Sequence, residues 1–509
     1  MAERRGRRGR MAGQDVPVRA QNHRNLRNPF TPQRVFSDDQ VQALHDNALR
    51  VLQELGIKVL LPEAREIYRQ AGALVDDATG MVRIGPEIIA EALKTAPQDF
   101  TIRGGNADTD VYFGPGALVF LSGAGCPNTT DLIRGRRPGS MRDFKELCRI
   151  SAGYDVMHLQ NAVVEPQDIA PPVRHYATMR HQLLTSPKIP FVFSRGTAQV
   201  EDSFEMIRIW RGLDDATFRA EPRTKTVINT NSPRQLDRPM AQGIIDFARW
   251  GQVVVVTPFC LLGAMAPVTV AGALSLQHAE ALAGIALDQL VNPGAPVMYG
   301  NFASNVDMKS GAPAFGTPEH LKATLGSGQL ARHIGLPWRS AAGCAANTND
   351  AQAAHETELS CWAAVLAGAN MIIHSAGWLE GGLTHSYEKL VTDMEMIQIF
   401  AELCGPTVVD EAEMAFAAIA EVQPGGHFFG AAHTMERFHT AFYEPRSWDL
   451  SNFGQWSEAG GLTADQRATA IWQARLGDHT DPPHDPDRLA TLDAFIARRT
   501  AEGGAPPGE

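Results

Sequence analysis

The side chains best suited to chemistry in this chain follow directly on short apolar runs. Asn161 to Glu165, Ser194-Arg195-Gly196, Asn229-Thr-Asn-Ser232, Pro258-Phe-Cys260, Asn301-Phe302, Gly343-Cys344 and His374-Ser-Ala-Gly-Trp378 all stand in this position. Amides, hydroxyls, glycines and aromatic rings dominate, and lysine is absent from these ends. A Schiff-base aldolase needs a lysine there, and a two-metal hydrolase several histidines and aspartates. Aromatic faces attract a quaternary ammonium group, whose charge is spread over methyls. Phe259, Tyr299, Phe302, Trp338 and Trp378 can therefore edge a cation-binding cavity, or else fill an interior. His374 and Arg195 are the candidates for fixing a carboxylate at its other end, with Asn229 and Asn301 as neutral hydrogen-bonding groups. Cys344 with His374 is the alternative zinc pair, without a further clustered ligand. Glu165, Asp307 and Glu380 are either acid/base groups or solvated caps, and Gly123 with Gly125 is a weak phosphate nest. No residue stands out as the catalytic one.

The elements that position these groups repeat one theme. Apolar runs at Ala117–Leu121, Val156–Leu159, Ile189–Phe193, Lys225–Ile228, Val253–Val256, Pro296–Tyr299, Pro337–Ala341 and Asn370–Ile373 read as strands covered on both faces, which implies parallel pairing. Helical periodicity or caps fill the gaps: Ser140-Met-Arg-Asp143 is a capping box, and Thr317-Pro318-Glu319 puts a cap before a first-turn proline. Eight strand–helix units predict an α/β fold of the closed (β/α)8 TIM-type barrel kind, more than an open doubly wound sheet. The chain divides into a basic disordered tail (1–36), an N-terminal helical cap (37–116) with a hairpin at Phe100–Arg103 and Val111–Phe113, the barrel (117–405), a C-terminal helical extension (406–500) and a second disordered tail (501–509).

Composition narrows the function. Hydrophobic residues at 44% and charged residues at 20% describe a globular protein, and a net charge of −11 argues against nucleic acid as a partner. The exception is the arginine-rich start, Arg4 to Arg10, which lacks the apolar core of a secretory signal. The Val268–Val291 segment carries Gln277, His278, Glu280 and Asp288, so no membrane span is expected. Six cysteines without a C-x-x-C pair point to reduced thiols and a cytoplasmic setting. Alanine-rich helices with an external tail predict a homo-oligomer.

Five blocks in order carry a resemblance: Gly263-Ala-Met-Ala-Pro-Val-Thr-Val-Ala-Gly-Ala-Leu274, Glu280-Ala-Leu-Ala-Gly284, Gln289-Leu-Val-Asn-Pro-Gly-Ala-Pro296, Asp307-Met-Lys-Ser-Gly-Ala-Pro313 and Leu366-Ala-Gly-Ala-Asn370. From about Ser37 to Gly405 the chain resembles the trimethylamine methyltransferase superfamily. The resemblance implies a (β/α)8 barrel that passes a methyl group from a methylated amine to Co(I) of a separate protein carrying the corrinoid (cobamide) cofactor. The family archetype carries pyrrolysine in the later strands, whereas the seventh-strand region here reads Ser340-Ala-Ala-Gly-Cys-Ala-Ala-Asn347. The chain is in this similar to the non-pyrrolysine branch, which implies a quaternary amine such as glycine betaine as methyl donor. A zinc-dependent barrel methyltransferase and a non-catalytic quaternary-amine sensor are the alternatives.

Overall fold

The computed structural model describes residues 23–508. Six strands pair in parallel in one sheet: β1 (Val119–Phe120), β2 (Lys225–Ile228), β3 (Val253–Val256), β4 (Val297–Gly300), β5 (Trp338–Ala341) and β6 (Met371–Ile373), in the order β1-β6-β5-β4-β3-β2. A helix follows each, as parallel crossovers require. The result is a mixed α/β fold with a half-barrel of parallel strands.

The second and third expected strands form no regular ladder. Pro190 has no N–H to donate, and the Phe120 N–H goes to the His158 ring, 3.1 Å away, instead of to a backbone carbonyl. Single bonds remain. The His158 N–H donates to Phe120 O (3.3 Å), that of Gln160 to Ile189 O (2.9 Å) and that of Val192 to Lys225 O (3.3 Å).

Side chains alternate across the sheet. Val119, Val253, Val255, Met298, Met371 and Ile373 turn inward and meet Ile102, Val111 and Phe113 of the hairpin Phe100–Ile102/Val111–Phe113, which closes the strands' amino ends. Val254, Val256, Val297, Tyr299, Trp338 and Ile372 turn outward, into the layer beneath the helices.

The Val270–Val291 helix is long and apolar enough to cross a membrane, yet 83% of its apolar window is buried in protein. Helices Asp38–Arg50, Pro62–Gln70 and Pro86–Thr95 cover its outer side, and the Tyr68 hydroxyl donates to Ala283 O at 2.7 Å. A helix covered all round needs no polar stripe. The N-terminal region is more than helices. Ile57–Val59, Leu74–Asp76 and Met81–Arg83 form an antiparallel sheet that Gln235–Leu236 extends in parallel. Three-residue strands are too short to show a period.

Parts of both expected disordered tails are packed. The Val35 and Phe36 N–H groups donate to Gln329, and His23 pairs with Glu402; the arginines from Arg4 to Arg19 lie outside the described residues. At the other end Ala505 is buried, and the Gly508 N–H donates to Arg195 O at 2.8 Å. The expected helical run near the C-terminus is two helices, Ala464–Asp478 and Pro486–Ala501, separated by a stretch containing Pro482 and Pro483.

Candidate functional site

Beyond the half-barrel the chain continues into two rim sheets. Phe259–Leu262 pairs in parallel with Phe302–Val306, and Trp378–Leu379 pairs antiparallel with Thr384–Ser386, which runs parallel to Asn128–Thr130. With the half-barrel they wall a cavity of about 640 Å³, within the range of small-molecule sites. His374, Trp378, Phe302, Phe259, Asn229 and Arg195 all line it.

One wall is aromatic. His374 and Trp378 stack with ring centroids 3.9 Å apart and planes 7° from parallel, and Phe302 lies 5.6 Å from each. Phe259 backs Phe302 at 4.7 Å. Trp378 keeps its place because two neighbours have no side chain. A Cβ on Gly123 would fall 2.8 Å from the indole, and one on Gly382, at φ +102°, 2.2 Å from it. Gly123 thus serves aromatic packing, not a phosphate nest.

The polar end is built around Arg339, a residue 2% exposed that sits on β5 inside the half-barrel and reaches the cavity wall. Its Nη1 donates to Asn301 O at 3.1 Å and its Nη2 to His374 Nε2 at 3.1 Å. A guanidinium only donates, so Nε2 accepts and the imidazole proton resides on Nδ1, which has no protein partner. Among the described residues Arg339 makes no ion pair, and burial pushes its pKa down to about 9. Lys225 also faces inward. Its Nζ has no hydrogen-bond partner, lies 4.5 Å from the Phe191 ring centroid, and is pushed down to about 7 by burial and then by Arg339. Burial, with Arg339 and Lys225 behind it, holds the His374 imidazole well below its ordinary range and therefore neutral. His374 also adopts φ 63°, a left-handed backbone uncommon outside glycine and one that clusters at functional sites.

Several expected residues have partners of their own. Arg195 forks onto Glu165 at 2.7 and 3.1 Å, so its charge is met, and Glu165 also pairs with Arg174. Asn301 uses its side chain to accept the Ala303 N–H and its backbone to brace Arg339. Tyr299 and Trp338 face away from the cavity, toward Gln277 and Gly368 O, because their strand positions have outward parity. The Cys344 thiol turns to Ala353 O while His374 turns to Arg339, and no group of three metal-binding side chains occurs among the described residues. Glu380 pairs with Arg136, and Asp307 accepts from Ser310 in an exposed turn. All six cysteines are free.

The sequence matches the trimethylamine methyltransferase (MTTB) family over residues 3–504. The chain belongs to this family. It is 35% identical over 472 residues to a glycine betaine methyltransferase of Desulfitobacterium hafniense (strain Y51), covering 92% of this chain and 98% of that one. It is 30% identical over 471 residues to the trimethylamine methyltransferase MttB of the same species (strain DSM 10664 / DCB-2), covering 92% and 94%. The crystal structure of the Methanosarcina barkeri monomethylamine methyltransferase (MtmB) shares the fold, with a TM-score of 0.50 over 90% of this chain and 92% of that one at 8% identity. As a member of the trimethylamine methyltransferase family the protein is a methyltransferase. Arg339 is the cavity residue that strand-end reasoning misses: it lies within a strand. Its signal was a charge inside the apolar run Pro337–Ala341.

Proposed function

We propose that this trimethylamine methyltransferase family member takes a methyl group from a betaine, a quaternary amine carrying a carboxylate, and passes it to the corrinoid of a partner protein. The observation that carries this reading is a buried guanidinium without a carboxylate partner facing an aromatic wall. The substrate carboxylate would accept from Arg339 and from His374 Nδ1–H, while the trimethylammonium end rests against Trp378 and Phe302. At an effective dielectric near 20, a carboxylate ~4 Å from the guanidinium is attracted by about 4 kcal/mol, and an ammonium ~8 Å away is repelled by about 2 kcal/mol. The reversed pose inverts both signs, so the N-methyl end is steered away from the floor.

The corrinoid, when its carrier docks, supplies the nucleophile that receives the methyl group. The wall fits a donor approached from outside: Ala124, Gly381 and Gly382 add almost no side chain to it, and Asn161 Oδ1, Ser194 Oγ and His374 Nδ1 are buried polar atoms without a protein hydrogen-bond partner. A quaternary nitrogen leaves as a neutral tertiary amine, so no acid need protonate it. The chain's tasks are to aim one methyl along the line of attack and exclude water. Its rings must hold the cation loosely, because charge is lost in the transition state and only differential binding accelerates. We further infer that the half-barrel is completed to an eight-membered (β/α)8 ring by the 156–161 and 189–193 segments, that the protein is cytoplasmic, and that it assembles with copies of itself.

Titration calorimetry with glycine betaine, choline and trimethylamine, followed by turnover with a reduced corrinoid protein, tests the reading. Glycine betaine or a close betaine should bind at least tenfold more tightly than choline and be demethylated. Equal binding of choline would sink the carboxylate clamp, and binding without transfer would make the protein a sensor.

A further inference from the structure

Fourteen of the twenty-two exposed large apolar side chains among the described residues fall between Val408 and Leu462. Phe416, Phe429, Phe442 and Phe453 are 73, 81, 82 and 78% exposed. The stretch has no core: across residues 406–462 only Ala418, Ala431 and Ser447 are buried. Yet it is anchored. Buried Glu395, on the Tyr387–Leu403 helix, accepts from the Tyr443 hydroxyl, from the Arg446 and Ser447 N–H groups and from the Ser447 hydroxyl. Beside this anchor lies a groove of about 580 Å³, with Trp362, Met396, Ile399, Phe400, Leu403 and Trp448 among its walls.

We propose that residues 406–462 form an arm that docks on a second copy of this chain, about a two-fold axis, with each arm seated against its partner's arm and groove. Three arguments select this occupant. At ~100 Å² for each of the fourteen side chains, the arm offers on the order of 1,400 Å² of apolar surface, against about 800 Å² per partner in a standard interface and 300–600 Å² for the largest patch of a typical monomer. A corrinoid carrier must come and go at each turnover, and a surface this apolar suits permanent contacts rather than transient ones. A second copy supplies an equal apolar surface and a groove at once, which is the self-complementarity an isologous contact demands.

Analytical ultracentrifugation of the full chain provides the test, with the triple variant F429D/F442D/F453D. The wild type should sediment as a dimer or an even multiple, and the variant should fall to a smaller species while retaining its circular dichroism and a cooperative melt. If the triple variant aggregates, F442D alone serves, with a dimer dissociation constant raised at least tenfold. A monomeric wild type, or a variant that keeps the wild-type mass, overturns the proposal. Unchanged mass with methyl transfer to the corrinoid protein lost would instead give the arm to that partner.

Discussion

Arg195 and Arg339 stand on two sides of one cavity and differ in what meets their charge. Arg195, on the rim, is forked by Glu165 and stacked over Phe193 at 4.3 Å. Arg339, inside the half-barrel, donates to a carbonyl and an imidazole and lies over the Phe302 ring at 5.4 Å, with no carboxylate beside it among the described residues. The rim arginine is a structural clasp that also fixes the chain's end through Gly508. The inner one is kept short of a counter-ion, and burial without a carboxylate is costly unless a ligand supplies one. On the proposed reading it is an unmet charge, more than proximity to the cavity, that suits a cation to an anionic ligand.

The strongest way to break that contrast is paired substitution. Arg339→Met should weaken betaine binding by about 3 kcal/mol, roughly a hundredfold, whereas Arg195→Ala should change it less than fivefold in the same calorimetric titration. Equal losses would show the two arginines to be equivalent. Next in size is the aromatic side of the cavity. Trp378→Ala should raise the betaine dissociation constant about tenfold, as loss of a partly desolvated cation–π contact does, while the melting temperature falls little. A large fall in melting with unchanged affinity would make Trp378 core.

The smallest effect concerns Lys225. Its pKa in the fold, about 7, lies below its ordinary value, so the unfolded chain holds the proton more tightly. The resulting penalty is fully present below ~pH 7 and is relieved as pH climbs from ~7 toward ~10.5. Lys225→Met should accordingly melt a few degrees above wild type at pH 6, the gap closing near pH 10. A gap that widens with pH would contradict an unmet inward charge.

Residue order by itself determined much of this protein. It placed the alternation of buried strand and helix, because a strand covered on both faces must be apolar and its crossover helix must fit between two such runs; five of the six half-barrel strands fall within predicted runs, and the other, Val297–Gly300, overruns its run by one residue. The strand-end loops likewise had to carry the polar and aromatic groups of the site. Tertiary structure alone decided which side chains face inward. A strand buried on both sides shows no alternation, so Trp338 and Arg339 are indistinguishable in parity until the sheet curves, and one then packs beneath a helix while the other enters the cavity. Pairing was equally hidden: nothing in the sequence ties Glu165 to Arg195 or leaves Arg339 without such a partner, because charges thirty or more residues apart are matched only by the folded chain.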